Sequence, residues 1–216
     1  RRLRCKLARM KHPYAPHGLD PTRLEPSWWE ASAPPLEGTF SALQGDVETE
    51  VAIIGGGYSG LSAALTLAKA GVGAVVLERA PIGWGASGRN GGFCCVGSAK
   101  LSYEAMIKRH GLETAKRFFA IQLQSVALVA DRLKTEAIDA DAVGDGETQL
   151  ARSVKAFAGF QAEAAFLNQT FGASYQVIAR EELAAHGMGG PQFHGGLHNP
   201  VGFGLHPLKY ARGLAM

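Results

Sequence analysis

The sequence has little cysteine and lacks long apolar runs. Its three cysteines in 216 residues are Cys5 and the adjacent pair Cys94-Cys95. Neighbouring cysteines rarely bridge each other and no metal-ligand spacing accompanies them, so we expect a reduced, cytoplasmic protein without a metal site. No apolar run approaches the length of a membrane span, and none follows Arg1-Arg2 as an export signal requires.

Acidic residues are missing from the first eleven positions. The formal net charge is +3, but six of the 22 basic residues lie within residues 1–11, so the rest of the chain is close to neutral. A basic tail can touch nucleic acid or an acidic membrane surface, but no aromatic or helical pattern accompanies this one. We therefore expect a disordered terminus and no nucleic-acid partner. Residues 12–49 are rich in Pro, His and Ser, so residues 1–49 are interpreted as a basic, irregular N-terminal arm.

Glycine, by contrast, is abundant, with 28 residues. Residues 50–54, EVAII, are a β-branched apolar run that stops at glycine, as a strand buried on both faces does. GGGYSG follows at 55–60, and apolar residues then recur at helical spacing through 61–70. A second apolar run occupies 74–77. The pattern predicts the strand, helix and strand of a βαβ unit.

The hexad GGGYSG fits the dinucleotide-binding pattern G-x-G-x-x-G. Gly55 permits the tight turn, Gly57 lets the backbone approach a pyrophosphate, and Gly60 lets the helix pack on the sheet. The amides that open the helix, from Tyr58 and Ser59 onward, then face the phosphate charge. The pattern predicts a dinucleotide site; the alternative is a chance glycine turn in another βαβ protein.

The segment after the second strand indicates which dinucleotide, NAD or FAD, the chain binds. Glu78 is placed to accept hydrogen bonds from the adenosine ribose, and its charge repels the 2′-phosphate of NADP. GWGASGRNGG at 83–92 follows almost at once, where a plain NAD domain continues into another helix. A glycine-rich turn brings backbone amides to a longer cofactor, while Arg89 adds a cation and Asn90 adds donors and acceptors. Because Trp84 indicates packing rather than a flexible linker, the segment favours FAD.

The remaining chain alternates helices and short strands. Predicted helices cover 112–136, 153–170 and 180–186, a further helix starts at Leu208, and predicted strands cover 148–151 and 175–178. Phe118, Ile121, Val126, Val129 and Leu133 form the expected buried stripe of the first of these helices. The stretch after residue 186 is glycine-rich and carries no predicted strand.

Three of these stretches resemble the FAD-dependent amine oxidoreductases of the D-amino-acid-oxidase-like group, which includes glycine oxidase and sarcosine oxidase. They are EVAIIGGGYSGLSAALTLAKAG, VVLE and GWGASGRNGG. The last of these most resembles the gamma-glutamylputrescine oxidase branch, as does the later HGGLHNPVGFGLHPLKYARGLA. The resemblance implies an α/β fold: a Rossmann-like FAD-binding βαβ domain with part of an α+β substrate domain.

That resemblance also implies how the chain is divided. Residues 50–110 would be the FAD-binding segment, 111–200 a helical and partial substrate domain, and 201–216 a return segment towards the FAD domain. Complete members of the family continue well past residue 216, so we expect an amino-terminal portion of such an enzyme.

Site residues follow by position. The resemblance implies that the pyrophosphate is held by Gly55, Gly57, Tyr58, Ser59 and Gly60, and the adenosine end by Glu78 with Arg79. It implies that Ala86, Ser87, Arg89, Asn90, Gly91 and Gly92 lie along the ribityl chain and the flavin.

The reaction that the resemblance implies is oxidation of a small amine or amino acid. A hydride passes from the carbon beside the amine nitrogen to the flavin, the imine hydrolyses, and O2 or another acceptor reoxidises the flavin, O2 giving hydrogen peroxide. Two alternatives remain open: a non-catalytic fragment, and an NAD-binding module in which GWGASGRNGG is a plain loop.

Several residues near these motifs call for care. Gly92 is followed by Phe93 where relatives often carry Gln, and then by Cys94-Cys95, for which packing is expected rather than covalent attachment of a flavin. Asn199-Pro200 stands where an acidic residue is more usual, which affects the expected substrate.

The histidines near the carboxyl end are weak candidates for chemistry. His194 and His198 have a helical metal-ligand interval, but flanking glycines make a helix, and hence a metal site, unexpected. His206, before Pro207, matches the family pattern and is the only candidate catalytic residue, with a packing role equally open.

Overall fold

The computed structural model describes Asp20, Thr22 and residues 26–36, 40–97 and 100–216. The predictions for the basic segment 1–11 and for Cys5 lie outside the described residues. Within the described part of the N-terminal arm there is one short helix that the sequence analysis did not predict, α1 (Trp28–Ser32), capped by the Ser27 hydroxyl.

The predicted βαβ unit is confirmed. Strand β1 (Val51–Ile54) and strand β2 (Ala74–Leu77) pair in parallel, with Val51 opposite Ala74 and Ile54 opposite Leu77. Helix α2 (Tyr58–Lys69) connects them and packs on both strands. The alternation of apolar runs and glycine therefore predicted these three elements. The expectation that the first strand is buried on both faces was wrong, because Ala52 and Ile54 of β1 are exposed.

A three-stranded antiparallel sheet forms the second half of the molecule. It contains β4 (Glu147–Leu150), β5 (Gln176–Ala179) and, between them, β6 (Gly195–Asn199). Helices α3 (Tyr103–His110), α4 (Leu112–Thr135) and α5 (Val154–Phe171) accompany it. The helices predicted at 112–136 and 153–170 are thus confirmed, as are the two strands to within one residue at each end.

Strand β6 was missed because its glycines conceal it. The segment is mostly buried at the centre of the sheet. A methyl group at Gly195 would collide with the ring of Phe157 on α5, so glycine is needed here for close approach of helix and strand.

The chain then returns to the βαβ unit. Strand β3 (Phe93–Cys95) pairs antiparallel with β7 (Gly202–Gly204), and helix α6 (Pro207–Leu214) packs against α2 and the short 3-10 turn at Ala86–Gly88. These contacts favour the predicted role of 201–216 as a return segment. The domain boundaries themselves stay predictions.

Two local expectations were wrong. Ile121 on α4 is 56% exposed, and Phe119 is buried in the core instead, because α4 packs on α3 and α5 along a stripe through Ala115, Phe119 and Val126. The helix predicted at 180–186 is a 3-10 turn over Arg180–Glu182 followed by hydrogen-bonded turns. Over the part of the chain that the structure describes, no helix is long and apolar enough to cross a membrane.

Candidate functional site

The glycine-rich turn between β1 and α2 is shaped by close backbone contacts. Gly55 has a φ of +103°, which favours glycine. A methyl group at Gly60 would collide with the carbonyl oxygen of Gly55. The turn and the first turn of the helix therefore need glycine at these positions, for the reasons that the G-x-G-x-x-G pattern predicts.

The amino end of α2 presents backbone amides beside this turn. The Tyr58 amide donates to the hydroxyl of Ser87 at 3.0 Å. Within the described residues, the amides of Gly57, Ser59 and Gly60 donate no hydrogen bond. A helix amino end with unused amides attracts an anion such as a phosphate group.

Glu78 reaches back from the end of β2 to the same turn. Its Oε2 accepts from the Gly56 amide at 2.6 Å, and its Oε1 accepts from the amides of Arg79 and Ala80 at 2.8 and 3.0 Å. Both oxygens keep lone pairs for further donors because a carboxylate accepts about four hydrogen bonds. The carboxylate is thus oriented and exposed at the edge of the turn. The guanidinium of Arg79 lies 5.4 Å from the ring centroid of Trp84.

The segment at 83–92 is a tightly folded loop and not a linker. A methyl group at Gly88 would collide with the carbonyl of Gly83. The Asn90 side chain closes the loop: its Nδ2 donates to the carbonyls of Ala86 and Ser87 at 3.0 and 3.2 Å, and its Oδ1 accepts from the Gly92 amide at 2.9 Å.

The predicted cofactor residues of the loop differ in whether their side chains remain free to contact a ligand. The side chains of Ser87 and Asn90 are engaged within the protein, so they shape the loop. Arg89 is exposed and forms no ion pair within the described residues, so its charge is available to a ligand. Ala86 and Gly91 are exposed and contribute backbone only.

Tyr58 connects the glycine-rich turn to α6. Its hydroxyl donates to the carbonyl of Pro207 at 2.9 Å, and its ring lies 5.2 Å from that of Tyr210. Burial raises the pKa of Tyr58 to about 12, which keeps the phenol neutral. The side chain therefore has a structural role, which the pattern of glycines could not predict.

A cavity of ≈ 370 Å³ adjoins the loop beside Asn90 and Gly92, between α2, α4 and β3. Its lining includes Arg132 of α4, which is 9% exposed. Arg132 donates to the Ser62 hydroxyl at 2.7 Å and to that of Thr66 at 3.3 Å, and it forms no ion pair within the described residues. The cavity therefore combines an apolar lining with one buried cation, which sequence reasoning missed because α4 is distant in the chain.

His206, the candidate catalytic residue, caps α6. Its Nδ1 accepts from the Lys209 amide at 3.2 Å, so the proton resides on Nε2, which lies 3.1 Å from the Ser32 hydroxyl. The ring also packs edge-on against Trp29 at 4.9 Å. Burial lowers the pKa of His206. Both ring nitrogens are thus engaged within the protein: Nδ1 caps α6, and Nε2 joins α6 to Ser32 of α1.

The cysteines and the other two histidines do not form a reactive cluster. Burial raises the pKa of the Cys94 thiol, and burial followed by Glu147 raises that of Cys95 to about 11. Both are free and protonated at neutral pH, which disfavours nucleophilic chemistry. His194 directly precedes β6 and His198 lies within it, and the His198 Nδ1 lies 2.9 Å from the Thr148 hydroxyl. Within the described ranges, no group of three or more His, Cys, Asp or Glu could hold a metal ion.

The residues around the first turn of α2 fit a dinucleotide. The turn leaves room for backbone approach, the helix offers unused amides to a pyrophosphate, and an oriented carboxylate stands at the end of the next strand. The loop at 83–92 lies directly beside these amides, because Ser87 is bonded to Tyr58.

Comparisons with known proteins agree with this geometry. The DAO family, described as FAD dependent oxidoreductase, matches residues 50–216. The chain is 40% identical over 102 residues to gamma-glutamylputrescine oxidoreductase of Escherichia coli K12, covering 47% of this chain and 24% of that protein. It is 32% identical over 177 residues to the probable oxidoreductase OrdL of Haemophilus influenzae, covering 82% and 40%. The chain thus spans less than half the length of these curated relatives.

Solved structures share the fold. L-amino acid deaminase from Proteus myxofaciens superimposes with a TM-score of 0.63 at 22% identity, covering 83% of this chain and 37% of that one. Glycine oxidase from Bacillus cereus gives a TM-score of 0.55 at 20% identity, covering 78% and 43%. The predicted α/β fold class is confirmed by this likeness and by the mixed helices and strands of the chain.

Proposed function

Because the chain belongs to the DAO family of FAD dependent oxidoreductases, we propose that it supplies the FAD-binding part of an enzyme that oxidises an amine or amino acid. The observation that carries this proposal is the junction of the two glycine-rich segments, in which the Ser87 hydroxyl bonds the Tyr58 amide at the start of α2. The loop at 83–92 places further backbone beside the start of α2, where the ribityl chain and flavin of FAD would continue from the pyrophosphate.

The proposal assigns a role to each part of the site. The pyrophosphate is bound by the backbone from Gly55 to Gly60, where the amides of Gly57, Ser59 and Gly60 are unused. The adenosine ribose is bound by Glu78, with Arg79 at its side. The ribityl chain and flavin follow the backbone of residues 86–92, with the exposed charge of Arg89 nearby.

Bound FAD would supply the hydride acceptor for oxidation of the carbon beside the amine nitrogen. The product is an imine, which water hydrolyses. The residues of this chain bind and orient: Asn90 holds the loop shape, and Tyr58 stays neutral. His206 acts as a positioning residue, since its Nδ1 caps α6 and its Nε2 bonds Ser32 of α1. We propose O2 as the final electron acceptor, with hydrogen peroxide as the product.

The substrate class is supported by the relatives. The curated relative with 40% identity is named for gamma-glutamylputrescine, and solved relatives are a glycine oxidase and an L-amino acid deaminase. A small molecule with an oxidisable amine is the chemistry they share. The free, adjacent Cys94 and Cys95 support a reducing, cytoplasmic location.

The test is purification of the chain, a flavin absorbance spectrum, and a peroxide assay with a panel of amines and amino acids. A yellow protein that releases peroxide supports the full proposal. Bound flavin without turnover supports a non-catalytic, cofactor-binding chain. A colourless protein that NAD, but not FAD, protects against thermal unfolding would overturn the proposal in favour of an NAD-binding module.

A further inference from the structure

A second cavity, of ≈ 310 Å³, lies among α3, α5 and the strands β4 and β6. No residue of the glycine-rich segments 55–60 or 83–92 lines it. Its lining contains three carboxylates, Glu104, Glu147 and Glu163, but no Lys, Arg or His. We call it the acidic pocket. Its charge has no role in the function proposed above.

An unpaired donor stands in the lining of the acidic pocket. Asn199 is 5% exposed, and its Oδ1 accepts from the Val201 amide at 3.2 Å. That bond sets the orientation of the side-chain amide, so Nδ2 is the atom left over, and it has no hydrogen-bond partner in the described part of the chain. A buried N–H group without an acceptor is unfavourable, so this group calls for a ligand oxygen.

The three carboxylates are exposed, and none of them forms an ion pair within the described residues. Partial burial, followed by repulsion from Glu104, raises the pKa of Glu163. Burial raises the pKa of Tyr175, another lining residue, to about 12, with Tyr103, Glu147 and Glu163 acting in the same direction. A bound cation would relieve these interactions.

The lining of the acidic pocket suits an organic cation better than a metal ion. Within the described residues, no group of three or more acidic, His or Cys side chains is close enough to hold a metal. The rings of Tyr103, Phe166 and Tyr175 line the pocket beside the carboxylates. Aromatic rings and spaced carboxylates together are what bind an alkyl ammonium group.

We propose that the acidic pocket binds a small organic ammonium that also carries a hydroxyl or carbonyl oxygen, its nitrogen near the carboxylates and its oxygen on Asn199 Nδ2. The site goes beyond the proposed function, because it is separate from the FAD segments and its occupancy does not depend on flavin.

Binding of three probes of similar size to the purified chain tests the proposal, measured by calorimetry at low salt. We expect 4-amino-1-butanol to bind, n-butylamine to bind about tenfold more weakly because it lacks the oxygen, and 1,4-butanediol to show no binding. Raising the salt concentration should weaken the first two. Equal binding of the uncharged diol, or no binding of either amine, would overturn the proposal.

Two variants test the carboxylates and the Asn199 amide of the pocket separately. Glu163→Gln should weaken both amines by about threefold and keep the preference for the amino alcohol. Asn199→Ala should remove that preference. Glu181→Gln, an exposed carboxylate outside the pocket, is the charge-matched control and should change nothing. If Glu181→Gln weakens binding as much as Glu163→Gln does, the effect is general electrostatics and the proposed site is wrong.

The Glu163→Gln result can be interpreted even if Asn199→Ala does not fold. Glu163 is exposed on α5 and makes no hydrogen bond within the described residues, so its neutral isostere should fold normally. FAD content measured on the same samples should stay constant. Absence of FAD from the parent chain, together with normal amine binding, would count against the proposed function and leave the acidic pocket supported.

Discussion

The Ser87 hydroxyl accepts a hydrogen bond from the Tyr58 backbone amide at 3.0 Å, and this bond joins two glycine-rich segments 29 residues apart. One segment opens α2 and the other follows β2. The amino end of α2 is therefore capped by a side chain from a different part of the chain. The conformation of the loop at 83–92 and the access of a ligand to the amides at the start of α2 are therefore linked.

Ser87→Ala should destabilise the fold by about 1 kcal/mol, because it removes the acceptor at a helix amino end. It should also weaken FAD binding, since the loop is no longer held beside α2. Thermal unfolding and a flavin titration measure the two effects. Ser59→Ala is the control on the same helix turn: its side chain is exposed, so it should stay within about 0.5 kcal/mol of the parent. Equal effects of both variants would contradict this role for Ser87.

Gly88→Ala and Gly85→Ala should differ sharply, although both lie in the loop at 83–92. An added methyl at Gly88 meets the Gly83 carbonyl and the Leu208 side chain, whereas at Gly85 it meets nothing within 4 Å. We expect Gly88→Ala to lose several kcal/mol and most flavin binding, and Gly85→Ala to be tolerated. Flavin content after purification and the midpoint of urea unfolding are the measurements. A tolerated Gly88→Ala would show that the loop is less tightly packed than described.

Stability should fall on acidification through His206. Burial lowers its pKa below the ordinary value of 6.5, so the unfolded chain binds this proton more readily than the folded chain. The contribution of neutral His206 is complete above about pH 6.5 and is lost as pH falls from there towards the lower folded pKa. Urea unfolding at a series of pH values measures the slope.

The matched variant for that experiment is His206→Asn, which can still cap α6 but does not titrate. It should reduce the pH dependence in this range while keeping helical content. Nearby charges are Asp141, Lys209 and Arg212, of which Asp141 raises the His206 pKa and the other two lower it. An unchanged slope in His206→Asn would mean that another group is responsible.

Arg132 and Ser62 should be energetically coupled. Their 2.7 Å hydrogen bond joins α4 to α2 in a buried position. We expect Ser62→Ala and Arg132→Met each to lose about 1.5–3 kcal/mol, and the double variant to lose less than the sum. Lys69→Ala, which breaks the more exposed Lys69–Glu136 ion pair, should lose under about 1 kcal/mol. Urea denaturation measures the free energy of unfolding of the parent and the four variants. The parent, the two single variants of Ser62 and Arg132 and their double variant form the double-mutant cycle.

The predicted family and its FAD cofactor are confirmed by the match to residues 50–216. That outcome follows from how local the evidence is. The turn at Gly55 and the helix after it depend on neighbours in the chain, so the spacing of glycines and apolar residues predicts them directly. The binding roles of the individual site residues stay predictions.

What local patterns did not predict depends on distant contacts. Strands β3 and β6 carry glycine or cysteine and become strands because partners far along the chain supply their hydrogen bonds. The acidic pocket arises from helices and strands that no periodicity relates.

Residues 83–92 show the division most clearly. Composition was enough to predict a shaped loop rather than a linker, since five glycines with a Trp, an Arg and an Asn favour a shaped backbone. That this loop binds a cofactor stays a prediction. That Ser87 caps a remote helix and that Asn90 bonds its own loop was decided by the folded arrangement. The physical reason is that backbone conformation is encoded locally, whereas the partner of a polar side chain depends on which segments packing brings together.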